Sequence, residues 1–162
     1  MGRGKWSTVA IVLLMISSVV SAREYQNKIE RSYLLLPIIG VYDGDTIYTE
    51  FTQLPVPLND IRVRIRDIDA PEMPAPSYLT TGRLGRASCV QEAELALKAK
   101  AAVEDLLSGS NVIQVRNFAW DKFGGRVTAN VFVKGKNVGE ELIRAGLAVP
   151  YDGGTKTHSW CD

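Results

Sequence analysis

Three short runs rich in β-branched and aromatic residues come first, Leu34 to Val41, Thr46 to Phe51 and Ile61 to Ile68, separated by Gly, Pro, Asn and Asp. The period then changes. Ser88-Cys89-Val90-Gln91 has the form of a capping box, and Leu95, Ala99, Ala102, Val103 and Leu106 follow at helical spacing until Ser108-Gly109. Two more β-type runs follow, Val112 to Phe118 and Val127 to Val133, and Asn137 with Glu140 caps a short helix that Gly146 stops. Three strands, a helix, two strands and a helix predict a mainly β protein with α (α+β). The architecture expected is a five-stranded Greek-key barrel of the OB type, with a helix between strands 3 and 4 and a C-terminal helix. The stretch from Pro71 to Gly85 holds three prolines and two glycines and reads as a long, functional loop.

A chain of 162 residues, 46% hydrophobic and 23% charged, suits one domain. At this size a fold buries roughly 70% of the surface its unfolded chain exposes. The single histidine, His158, excludes a two-His zinc protease, and there is neither a Walker-type loop nor a G-x-G-x-x-G. His158 and Cys161 together offer too few donors for zinc.

The first 22 residues read as a secretory signal peptide: Arg3 and Lys5, an apolar run from Val9 to Val20, and small residues at Val20-Ser21-Ala22. That run is too short to span a bilayer. A polar leader is expected over 23–32 and the folded domain over 33–162. Removing Arg3 and Lys5 with the signal turns the formal charge of +1 into −1. Net charge therefore does not recruit a nucleic acid; a local constellation must do so.

Three features carry chemistry. In Ile61-Arg62-Val63-Arg64-Ile65-Arg66 the odd positions are apolar, whereas in Asp67-Ile68-Asp69-Ala70 the even ones are. A β-bulge reconciles the halves and lets Arg64 and Asp69 share a face; the alternative is a strand that ends at Arg66. In Asp69-Ala70-Pro71-Glu72, Pro71 holds Ala70 extended and contributes no donor, leaving carbonyls free to face a cation flanked by two carboxylates. Asp43-Gly44-Asp45-Thr46 adds carboxylates at a turn, and oxygen ligands without a His or Cys set favour a hard cation, Ca²⁺ or Mg²⁺. Asp121-Lys122-Phe123-Gly124-Gly125-Arg126 is a glycine turn ending in an arginine.

Together with Ala145-Gly146-Leu147-Ala148, and with Arg64 five before Asp69, these motifs make Val41 to Tyr151 resemble the thermonuclease, or staphylococcal-nuclease-like, family. The resemblance implies an OB-fold phosphodiesterase, a sugar-nonspecific endonuclease that cuts DNA and RNA with Ca²⁺. By matched position it makes Asp45 and Asp69 carboxylate ligands, Ala70 a carbonyl ligand, and Glu72 the residue that holds or activates water. Arg64 and Arg126 would grip the phosphate, with Lys122 and Tyr151 as substrate-binding residues. The chain departs from the family pattern at Gly125, which is extra, at Ala70 for a usual threonine, and at Phe123 for a common tyrosine. Tyr151 is offset by one residue.

The chemistry agrees with these roles. Phosphodiester hydrolysis needs growing phosphoryl charge neutralised and a water aimed in line, which a metal, two arginines and a carboxylate supply. A non-catalytic OB module binding nucleic acid or protein is the rival from another class. Degenerate copies of the fold lose the charged site residues, and all five are present here. An exported monomer, periplasmic or secreted, is expected. Export also places Cys89 and Cys161 in an oxidising compartment, where a disulfide between them would tie the C-terminal tail to the main helix.

Overall fold

The computed structural model describes residues 33–51, 60–122 and 124–161. The signal peptide, the leader and Phe123 lie outside the described residues, as does most of the connection between the second and third strands. Eight strands are described: β1 (Tyr33–Val41), β2 (Thr46–Glu50), β3 (Asp60–Ile65), β4 (Ile68–Asp69), β5 (Val112–Trp120), β6 (Arg126–Val133), β7 (Lys136–Asn137) and β8 (Val149–Pro150). The helices are α1 (Tyr78–Thr81), α2 (Val90–Leu107) and α3 (Val138–Arg144).

The main sheet runs β3-β2-β1-β5-β6-β7, and a parallel pairing of β3 with β6 closes its first five strands into a barrel. β1 serves both halves: Tyr33 to Pro37 pair with β5, and Ile38, Gly40 and Val41 pair with β2, with a register shift between Ile38 and Gly40. That irregularity bends the strand around the barrel corner. This is the five-stranded α+β barrel that the element order predicts.

Inside the barrel the alternation is strict. Ile61, Val63 and Ile65 of β3 and Val127, Ala129, Val131 and Val133 of β6 are buried, so Arg62, Arg64 and Arg126 stand on the outer side of their strands. Helix α2 covers one end of the barrel through Ala99, Val103 and Leu107. Its buried stripe is Ala93, Ala96, Ala99, Val103 and Leu107, whereas Leu95, Ala102 and Leu106 are only half-buried. Of the expected residues, Ala99 and Val103 are buried and Ala102 and Leu106 pack half-buried against the core, and Ala93 and Ala96 extend the stripe toward the start of the helix. Ala99 lies so close to the Asp43-Gly44-Asp45 turn that a methyl on Gly44 would stand 2.8 Å from the Ala99 Cβ and 2.9 Å from the Ala70 Cβ.

Two local expectations are corrected. The third strand does not continue through a bulge to Ile68. It ends at Ile65, and Arg66-Asp67 form a turn with Asp67 at φ +65°. Ile68-Asp69 then start a separate strand paired with Val149-Pro150. The parity flip marks this change of sheet, and a short aspartate tolerates the left-handed backbone it needs. The capping residue of α2 is Cys89 rather than Ser88: its Sγ accepts from the Glu92 amide. The loop after Pro71 also contains the one-turn helix α1, where the Thr80 and Thr81 hydroxyls donate to the Ser77 carbonyl.

The Cys89–Cys161 disulfide is present, with the two Cα atoms 5.9 Å apart. It leaves Cys161 no free thiol to offer a metal beside His158.

Candidate active site

Helix α2 is the platform on which three separate segments of the site are set. Ala99 abuts Gly44 and fixes the Asp43-Gly44-Asp45 turn. In that turn the amides of Tyr42 and Asp43 donate to the Thr46 carbonyl at 2.9 and 3.3 Å, and the Asp45 amide donates to Asp43 Oδ1 at 3.2 Å. Glu92, buried in the first turn of α2, accepts the Ser88 amide at 2.6 Å and the Glu72 amide at 3.1 Å through its two carboxylate oxygens. One side chain thereby ties the backbone of Glu72 to the helix. Cys89, the capping residue, holds Cys161 and with it the tail.

At the centre, the Arg64 guanidinium spans two buried carboxylates. Nη1 is 2.5 Å from Asp45 Oδ1, and Nη2 is 3.5 Å from Asp69 Oδ1. Asp45 also accepts from the Thr46 hydroxyl at 2.9 Å and, through Oδ2, from the Ala70 amide at 3.3 Å. Asp45, Arg64, Asp69 and Ala70, 25 residues apart at the extremes, thus form one contact group. Arg64 and Asp69 do meet, but across the turn that separates β3 from β4.

Glu72 is half-exposed at the rim. Its Oε2 lies 3.2 Å from Arg86 Nε and its Oε1 lies 2.9 Å from Lys156 Nζ. Arg126 begins β6 in register with Arg62 of β3, and its Nε is 2.6 Å from Asp121 Oδ2. The extra glycine is absorbed by a turn in which both Gly124 and Gly125 take positive φ, 70° and 67°, closed by the Asp121 amide on the Arg126 carbonyl. Arg126 and Arg64 consequently line one cavity of about 650 Å³ together with Asp45, Ala70 and Glu72.

Lys122 and Tyr151 line the same cavity, but both engage the tail. Lys122 Nζ donates to the Gly153 carbonyl at 3.1 Å and the Tyr151 hydroxyl to that of Gly154 at 2.6 Å. Asp69 borders the group through its contacts to Arg64 and to Lys156, whose Nζ is 2.8 Å from Asp69 Oδ1.

The electrostatics follow from burial and pairing. Desolvation pushes the Asp45 carboxyl up to about 6, against the opposing pull of Arg64. Burial works to lower Arg64, but the charges of Asp45, Asp69 and Asp43 outweigh it and hold the guanidinium above its ordinary value. Lys156 is likewise raised: burial opposes its charge, and hydrogen bonds to Asp69 and Glu72 prevail.

Among the described residues, no three His, Cys, Asp or Glu side chains converge to hold a metal on their own. The donors at hand are two carboxylates 4% exposed and the backbone of Ala70, all hard oxygens, which suit Ca²⁺ or Mg²⁺ with water completing the shell.

Sequence reasoning missed Arg86, Glu92 and Lys156. Arg86 also meets Asp43 Oδ2 at 3.4 Å and lies over the Tyr42 ring at 5.7 Å. Only Glu92 left a sequence signal, an acid three residues after a cap.

No curated protein matches the chain at a significant level. The family model of the staphylococcal nuclease homologues matches residues 62–159, which runs from the strand carrying Arg64 through both arginines and the tail. A match over more than half of the chain, from β3 through the tail and so over Arg64, Asp69, Glu72 and Arg126 but not over β1, β2 or Asp45, places this protein in the staphylococcal nuclease homologue family.

Proposed function

We propose that the protein is an exported, Ca²⁺-dependent nuclease that hydrolyses phosphodiester bonds in both DNA and RNA, acting as a monomer. One observation carries the reading: a single guanidinium, Arg64, bridges the two buried carboxylates of Asp45 and Asp69 beside a cavity that Arg64 and Asp45 line together with Glu72 and Arg126. A fold copy that only bound nucleic acid would have no use for buried like charges assembled at such desolvation cost.

Asp45, Asp69 and the Ala70 carbonyl would hold the cation, which supplies positive charge against the phosphoryl oxygens. Glu72 accepts the proton of the attacking water at its carboxylate, and the Arg86 and Lys156 contacts fix the direction in which that carboxylate points. Arg64 and Arg126 would supply positive charge beside the phosphate oxygens, neutralising charge as it grows. Export is supported by the N-terminal segment and by a disulfide, which persists in oxidising compartments.

The test is digestion of single- and double-stranded DNA and of RNA by protein lacking residues 1–22, with Ca²⁺, with Mg²⁺ and with chelator. Cleavage of both polymers with Ca²⁺ alone is expected, with Glu72→Gln slowed on the order of 10²-fold or more. Undiminished cleavage in chelator rejects the ligand assignment, and binding without cleavage under all conditions favours the non-catalytic module.

A further inference from the structure

Lys156 belongs to no strand or helix, yet its ammonium lies on two carboxylates, 2.8 Å from the buried Asp69 and 2.9 Å from Glu72 at the rim. The segment that carries it is strapped to the body at both ends. At the near end β8 pairs with Ile68-Asp69, the Tyr151 amide donates to the Asp67 carbonyl at 3.0 Å, and Lys122 holds Gly153. At the far end Cys161 is bonded to Cys89, the capping residue of α2.

A lysine on a free tail must order both its backbone and its side chain to hold an ion pair, which surface pairing seldom repays. Strapping the backbone removes the backbone part of that cost, since the segment is ordered before the ion pair forms.

The consequence for Glu72 is geometric. Arg86 takes Oε2 and Lys156 takes Oε1, so the carboxylate is clamped by cations from two different segments. Asp69 Oδ1 has Lys156 as its nearer cation, for the Arg64 nitrogen stands at 3.5 Å.

We propose that Lys156 is a positioning residue of the active site: an ammonium delivered by the disulfide-anchored tail that sets the Glu72 carboxylate relative to Asp69. The inference rests on the nuclease reading for its kinetic consequences alone. It has a signature that a stabilising role would not produce, because removing the ammonium frees Asp69 for a divalent cation while it releases Glu72.

The experiment uses Lys156→Met, Lys156→Arg, Cys161→Ser and the Lys156→Met/Cys161→Ser double variant, with Ca²⁺ binding read by calorimetry and kcat and KM on a single-stranded oligonucleotide. Lys156→Met should lower kcat about tenfold or more, as small misplacements of reacting groups do, with KM changed less than about twofold. It should also bind Ca²⁺ about two- to fivefold more tightly, the worth of one half-exposed ion pair.

Lys156→Arg should restore most of kcat. The double variant should be no slower than Cys161→Ser alone, because two residues acting through one strap are not additive. Normal kcat in Lys156→Met, weaker Ca²⁺ binding, or additive losses would each overturn the proposal. If the wild type neither binds Ca²⁺ nor cuts, the nuclease reading fails separately. Amide exchange over residues 151–160 then decides: faster exchange in Lys156→Met keeps the anchor, and unchanged exchange removes it.

Discussion

Asp45→Asn should make the protein more stable in chelator at neutral pH while abolishing its response to Ca²⁺. The Asp45 carboxyl is 4% exposed, and burial raises it from 3.8 to about 6. Two units at about 1.4 kcal/mol each put the cost of the ionised form near 3 kcal/mol. The sign is set by the direction of the shift. The folded protein holds this proton more tightly than the unfolded chain, so the group costs nothing below about pH 4. Its cost grows between about pH 4 and 6 and is fully present above that.

Asparagine keeps an oxygen to accept from Arg64 Nη1 and has nothing to ionise; its NH₂ cannot accept from the Ala70 amide as Oδ2 does, which costs about 1 kcal/mol at both pH values. Guanidinium unfolding of both proteins in chelator, at pH 4 and pH 8, isolates the effect, since every other titrating group is common to the pair. The variant should gain about 3 kcal/mol over the wild type between the two pH values. Ca²⁺ at about a hundred times its dissociation constant should return about 2.7 kcal/mol to the wild type and nothing to the variant. A stability difference that does not change with pH, or a variant less stable than the wild type at pH 8 in chelator, would refute the claim that burial outweighs the Arg64 pairing.

Gly44→Ala should cut activity and lower stability by about 1–3 kcal/mol, because the new methyl meets two rigid Cβ atoms at 2.8 and 2.9 Å and pushes the Asp45 turn off α2; unchanged melting and turnover would show that the helix yields freely. Arg64→Lys should reduce kcat on the order of 10²-fold, since one ammonium cannot span Asp45 and Asp69 as the two Nη atoms do; near-normal turnover would reduce Arg64 to a strand residue. Reducing the Cys89–Cys161 bond, which closes a separation of 72 residues, should cost at most about 4 kcal/mol in denaturant unfolding. An equal midpoint with and without reductant would show that the tail contributes nothing to the folded state.

The strand and helix order was legible in the sequence because local chemistry sets it: β-branched runs, the Asn137 cap, and Gly146 at φ +69° after α3. So was the charged constellation, since Asp45, Arg64, Asp69 and Glu72 each sit at a turn or strand end that the pattern marks. The parity flip located the break after β3, but whether it was a bulge or a turn depended on β8 arriving 80 residues later to pair with Ile68-Asp69. The extension of the α2 stripe through Ala93 and Ala96, and the contact of Ala99 with Gly44, were equally invisible, for both depend on which segments the fold packs against the helix. Arg86 and Lys156 carried no motif at all, because a lone cation acquires a role only from the carboxylate that folding sets beside it. Periodicity and turn chemistry act over a few residues and can be read from the chain; the ion pairs that clamp Glu72 join segments up to 84 residues apart, and only closure of the barrel and the disulfide decides which charges meet.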